Sequence, residues 1–85
     1  MKTAIIYVRG HRQAMQEMFC RVYAADKGCK VLFVTSNLEA VRNCDTMVIH
    51  NASRIARDEK EYHAILAEIK SRGIAVECAE RFNAF

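Results

Sequence analysis

Two short segments concentrate the side chains that could do chemistry. Arg9, Gly10, His11 and Arg12 follow one apolar run, and His50, Asn51, Ser53, Arg54 and Arg57 follow another. Guanidinium groups grip phosphate as planar forks, and a helix N-terminus directs N–H groups at the same anion. A cationic, polar pair of loops beside a helix start therefore suits phosphate binding. Arg9, Arg12, Arg54 and Arg57 are the candidate ligands for phosphate or a DNA backbone, with Tyr7, His50 and Ser53 as polar support. The alternative is that both loops simply face water, with some arginines paired to Asp58 or Glu61. His11 and His50 could each serve as a base or phosphoryl acceptor, and His11 is the candidate catalytic residue. His63 falls on the outward side of the last helical segment and is expected to be inert.

Other chemistries lack their residues. Arg9-Gly10-His11-Arg12 carries one glycine and no G-K-[ST], so it is not a P-loop. No paired carboxylates stand at these positions, which argues against a glycosidase-like or Mg²⁺-dependent site. The four cysteines, Cys20, Cys29, Cys44 and Cys78, form no C-x-x-C pair. Reduced, mostly buried thiols are expected, with no metal and no cofactor.

The elements that must position these residues alternate along the chain. Residues 3–8 form an almost continuous apolar run, as in a strand buried on both faces. Ala14, Met15, Met18, Phe19, Val22 and Tyr23 recur at helical spacing, and Gly28 follows them. Residues 30–35 read as a second buried strand. Ser36-Asn37-Leu38-Glu39 matches a capping box that starts a short helix through about Arg42. A third strand spans residues 46–50, and residues 51–57 read as a polar loop. Asp58 with Glu61 signals a helix start, and Tyr62, Ile65, Leu66 and Ile69 give that helix its apolar stripe. Gly73 ends it, residues 74–78 form strand four, and the tail after them is too short for a domain. Phe19, Phe33 and Tyr62 fall at core periodicities. The pattern predicts one α/β domain over residues 1–85. Its four-stranded parallel sheet, in the order 2-1-3-4, has helices on both faces and a switch point between strands one and three.

Composition is consistent with this. The chain has 85 residues, 52% hydrophobic and 27% charged, in keeping with a folded domain. Its net charge is +3. Residues 1–57 hold nine basic and four acidic side chains, and residues 58–85 hold four and six, so the basic excess sits with the candidate loops. No apolar run reaches the ~20 residues of a membrane span, and no signal peptide is evident, so a cytoplasmic protein without a membrane partner is expected.

At the same residues the chain resembles the catalytic domain of the serine recombinases, the resolvase/invertase family. One strand of that family ends in Tyr-x-Arg-x-Ser, and Tyr7-Val8-Arg9-Gly10-His11 aligns with it. The family later has a hydrophobic strand, Asp-Arg-x-x-Arg, a long helix, a glycine and another strand. Here Met47-Val48-Ile49-His50 and Ser53-Arg54-Ile55-Ala56-Arg57 precede a helical segment, Gly73 and Ile74-Ala75-Val76. The resemblance implies that Arg9, Arg54 and Arg57 stand where arginines bind the scissile phosphate. It also shows departures. His11 stands at the nucleophilic serine and Ser53 at the aspartate, the middle segment is reduced to Thr35-Ser36-Asn37, and the dimerisation helix and DNA-binding domain are missing. The expectation is a truncated, degenerate recombinase-like domain of a mobile element or phage. It would bind a DNA backbone or a recombinase-like protein partner, a homodimer included, without cutting DNA. The alternatives are a small phosphate- or nucleotide-handling enzyme using His11 with Arg9, Arg54 and Arg57, or a purely structural interaction module.

Overall fold

Residues 3–8 offer no polar side to water, so their strand needs cover on both faces. The computed structural model describes residues 1–80 and supplies that cover. Strands β1 (Thr3–Tyr7), β2 (Lys30–Thr35), β3 (Thr46–Ile49) and β4 (Ala75–Cys78) form one sheet in the order β2-β1-β3-β4, with every neighbouring pair parallel. Helix α1 (Gln13–Asp26) joins β1 to β2. A single turn, α2 (Ala52–Ile55), and the longer α3 (Glu59–Ser71) join β3 to β4. Order and direction are those the sequence predicts.

Successive strand residues point to opposite faces, which divides the core in two. Ile5, Tyr7, Met47 and Ile49 pack with Tyr62, Ile65 and Ile69 of α3. Ala4, Ile6, Val8 and Val48 pack with Cys20 of α1. Both long helices end in the same way. The Gly28 N–H donates to the Ala25 carbonyl and Cys29 N–H to Ala24, while Gly73 N–H donates to Lys70 and Ile74 N–H to Ile69. Each glycine is left-handed, at φ 71° and 77°, the conformation this helix ending requires and one that side chains disfavour. At its start, α3 is capped by Asp58, whose carboxylate accepts from the Glu61 N–H at 2.8 Å.

Four expectations need correction. The face α1 turns to the sheet is Gln16, Cys20 and Ala24, while Met18, Phe19 and Val22 are exposed. Cys20 and Ala24 are small and Gln16 spends its amide on the neighbouring backbone, so the helix lies close on the sheet and its larger apolar residues are displaced outward. Strand β2 is not buried. It lies at the sheet edge, and Leu32 and Phe33 remain 40% and 43% exposed; Phe33 is thus not the core residue its periodicity suggests. The helix expected after residue 36 is only a 3₁₀ turn, Leu38–Ala40, capped by Asn37 rather than Ser36. Within the expected polar loop, residues 52–55 form α2, where Asn51 provides the cap and Ala52 and Ile55 are buried.

Among the described residues the four cysteines form no disulfide, and burial pushes the Cys20 thiol up to about 12. No described helix is long and apolar enough to cross a membrane. The last residues of the tail, 81–85, lie outside the described part of the chain.

Candidate functional site

In a sheet of this order the strands leave a crevice at their carboxyl ends where β1 and β3 diverge. The loop after β1 is held there by a side chain from inside the core. Gln16 is fully buried; its Oε1 accepts from the Arg9 N–H at 3.1 Å, and its Nε2 donates to the Arg9 and His11 carbonyls, both at 2.8 Å. Every strong hydrogen-bonding group of the amide is thereby used on the backbone of residues 9–11, which makes its burial tolerable. Arg12 then takes a left-handed conformation, φ 58° and ψ 45°, at the start of α1. For a residue with a side chain this costs about 1 kcal/mol. Among the described residues no side chain caps α1, and its first turn holds no acidic residue. The positive end of the helix dipole is left open beside Arg12 and His11, both exposed.

The loop after β3 is organised by Asn51. Its Oδ1 accepts from the Arg54 N–H at 3.2 Å and from the Ser53 hydroxyl at 2.7 Å, while its Nδ2 donates to Glu80 at 2.9 Å. The two loops run close together, for a methyl group added to Gly10 would come 4.0 Å from the Arg54 carbonyl oxygen.

The Arg9 guanidinium reaches across this junction. Its Nη1 donates to the Ile55 carbonyl at 2.6 Å and to Glu61 Oε1 at 3.3 Å. The same Glu61 oxygen accepts from the Arg57 N–H at 2.8 Å, and the other lies 3.6 Å from Arg57 Nε. Tyr7 belongs to this group. Burial raises the pKa of its phenol above the usual value, and the adjacent Arg9 partly offsets the rise. Arg9 and Arg57 thus share one carboxylate, that of Glu61, with the Tyr7 phenol beside Arg9.

Arg54 and Ser53 lie apart from that cluster, on the side of Asn51 and Glu80. The Glu80 carboxyl is held below its usual range, chiefly by the Asn51 amide, with His50 and Arg54 adding to the effect. His50 is not a member of an open polar site, contrary to its expected role. It is 2% exposed and stacks on Phe19 with ring centroids 4.9 Å apart. Its Nε2 lies 2.8 Å from Glu80 Oε1. The reason is geometric: His50 continues β3 on the face that α1 covers. Phe19, read from the sequence as core, is instead the half-exposed lid of this histidine.

Gln16 is the member of the site that side-chain chemistry alone does not single out, whereas Glu61 is one of the two carboxylates expected to pair with the arginines. The signal for Gln16 is its spacing, four and eight residues before Cys20 and Ala24 on the buried stripe. Among the described residues no group of three or more His, Cys, Asp or Glu side chains could hold a metal ion. A surface groove of about 450 Å³ opens beside the cluster, lined by Arg57, Asp58, Lys60, Glu61 and Ala64. A more enclosed groove of about 340 Å³ lies away from the arginines, between Phe19, Tyr23 and Cys78. Asp26 and Lys27 join these side chains in its lining.

No protein-family model and no curated protein sequence matches the chain. Among solved structures, the chain is similar to the C-terminal catalytic domain of ISC1926 TnpA, an IS607-like serine recombinase. The TM-score is 0.73 at 21% identity, over 96% of this chain and 72% of that one. The likeness is one of fold: the same parallel α/β architecture, nearly end to end.

Proposed function

We propose that this is a recombinase-like domain of a mobile element or phage that binds the phosphates of a DNA backbone without cutting them. One observation carries the reading: the Arg9 guanidinium and the Arg57 N–H converge on a single carboxylate oxygen, at 3.3 and 2.8 Å. These donors already wrap an oxyanion, as phosphate binding requires. Arg12, the open start of α1 and Arg54 extend the positive surface on either side. Cleavage would need a nucleophile, and His11 holds the position that the family resemblance gives to a serine hydroxyl. The likeness of fold to a serine recombinase catalytic domain supports the same ancestry. Pairing with a recombinase-like protein partner, a second copy included, fits this accessory role.

Anisotropy of a labelled DNA duplex, titrated at several salt concentrations, tests the proposal. Three or four phosphate contacts give a log–log salt slope of about −3, and Arg12→Ala and Arg54→Ala each reduce it by about 1. A supercoiled plasmid stays uncut throughout. Binding that ignores salt and both substitutions rejects the reading. Turnover of a phosphodiester that His11→Ala abolishes would favour the enzyme alternative.

A further inference from the structure

We propose that Glu61 is an internal competitor at the anion site: its carboxylate occupies Arg9 and Arg57 and must leave before a phosphate can take them. The inference rests on the anion-binding reading above and adds its regulation. The hold is loose where it involves charge. The Arg9 contact at 3.3 Å and the Arg57 Nε contact at 3.6 Å are long beside the 2.7–2.9 Å typical of a charge-assisted bond. Arg9, by contrast, is anchored at 2.6 Å by the Ile55 carbonyl, a partner that stays when Glu61 moves. The guanidinium is therefore oriented for an incoming anion whether or not the carboxylate is present.

Glu61 also has somewhere to go. It lines the groove of about 450 Å³ that it shares with Lys60 and Ala64, and a quarter of its side chain is already exposed. The bond from its backbone N–H to the Asp58 cap stays in place when the carboxylate moves, although the Arg57 N–H then gives up its 2.8 Å acceptor. A ligand that displaces it must outcompete one carboxylate. Inorganic phosphate does so with more charged oxygens. A DNA duplex, whose phosphodiesters each offer two non-bridging oxygens as a carboxylate does, does so by presenting several phosphates at once.

The test compares the wild-type protein, Glu61→Gln and Glu59→Gln, with inorganic phosphate and a short DNA duplex as probes at one salt concentration. Glutamine keeps an oxygen for the Arg57 N–H and removes the competing charge. Glu59 lies in the same helix, pairs among the described residues with His63 at 3.4 Å, and controls for net charge. The expected result is binding about fivefold tighter in Glu61→Gln and within about twofold of wild type in Glu59→Gln. Equal affinities in all three, or weaker binding by Glu61→Gln, overturn the competitor role and leave the site standing. Failure of all three proteins to bind either probe overturns the site and the competitor role together.

Discussion

Replacing Gln16 with leucine should damage both the stability of the domain and its site. The side chain is fully buried and makes three hydrogen bonds to the backbone of residues 9–11, at 2.8 to 3.1 Å. At about 1 kcal/mol net for each bond, and more where a carbonyl is left buried and unpaired, the loss is about 2–4 kcal/mol. A domain of this length has only ~4–13 kcal/mol in total, so the melting temperature should fall by about 10–20 °C. Leucine's extra apolar burial offsets little, because the amide sits against peptide groups rather than hydrocarbon. Gln16→Glu sharpens the comparison. A carboxylate keeps an acceptor for the Arg9 N–H but turns a buried charge toward two carbonyls. Burial raises its folded-state pKa, so this variant should lose stability as pH rises above about 4. Urea and thermal melts by circular dichroism give the values. A loss for Gln16→Leu below about 1 kcal/mol, with the amide resonances of residues 9–12 unmoved, would refute the claim that this side chain builds the loop.

Arg12→Gly relieves a left-handed residue of about 1 kcal/mol and gives back a similar amount in unfolded-chain entropy. Its melting temperature should stay within a few degrees of wild type while DNA affinity falls and the salt slope shrinks by about 1, which melts and anisotropy together would show. Asp45 is held below its usual pKa first by the Thr3 N–H at 2.7 Å and then by the Thr3 hydroxyl at 3.1 Å. A depressed carboxyl stabilises the fold above its unfolded pKa and loses that effect as pH falls through the folded value. Asp45→Asn should therefore be less stable than wild type at pH 7, with the gap closing below about pH 4 in urea melts. A gap that persists unchanged to pH 2 would contradict this.

Much of the fold could be read directly. Almost continuous apolar runs at residues 3–8 and 46–49 signal strands covered on both faces, and Gly28 and Gly73 mark where helices must turn back to the sheet. The contact face of α1 was not legible, because periodicity favours the large apolar residues Met18, Phe19 and Val22. Close approach to the sheet instead selects Gln16, Cys20 and Ala24, whose small or fully bonded side chains allow it. The exposure of β2 is already implied by the predicted order 2-1-3-4, which puts that strand at the edge, whereas a run such as Val31-Leu32-Phe33-Val34 reads by its own residues as buried. At the site, the cationic loops were evident from residue type. Which arginine meets which carboxylate was not, because it depends on how α3 enters after the Asp58 cap and on Arg9 crossing from β1 to the Ile55 carbonyl.

The central claim is that the loops after β1 and β3 form one anion site. An NMR titration of the ¹⁵N-labelled protein with inorganic phosphate and then a DNA duplex tests it most directly. The account predicts that the amides of residues 9–12 and 53–57 shift together and fit one dissociation constant. Shifts confined to one loop, or centred elsewhere on the protein, would contradict it.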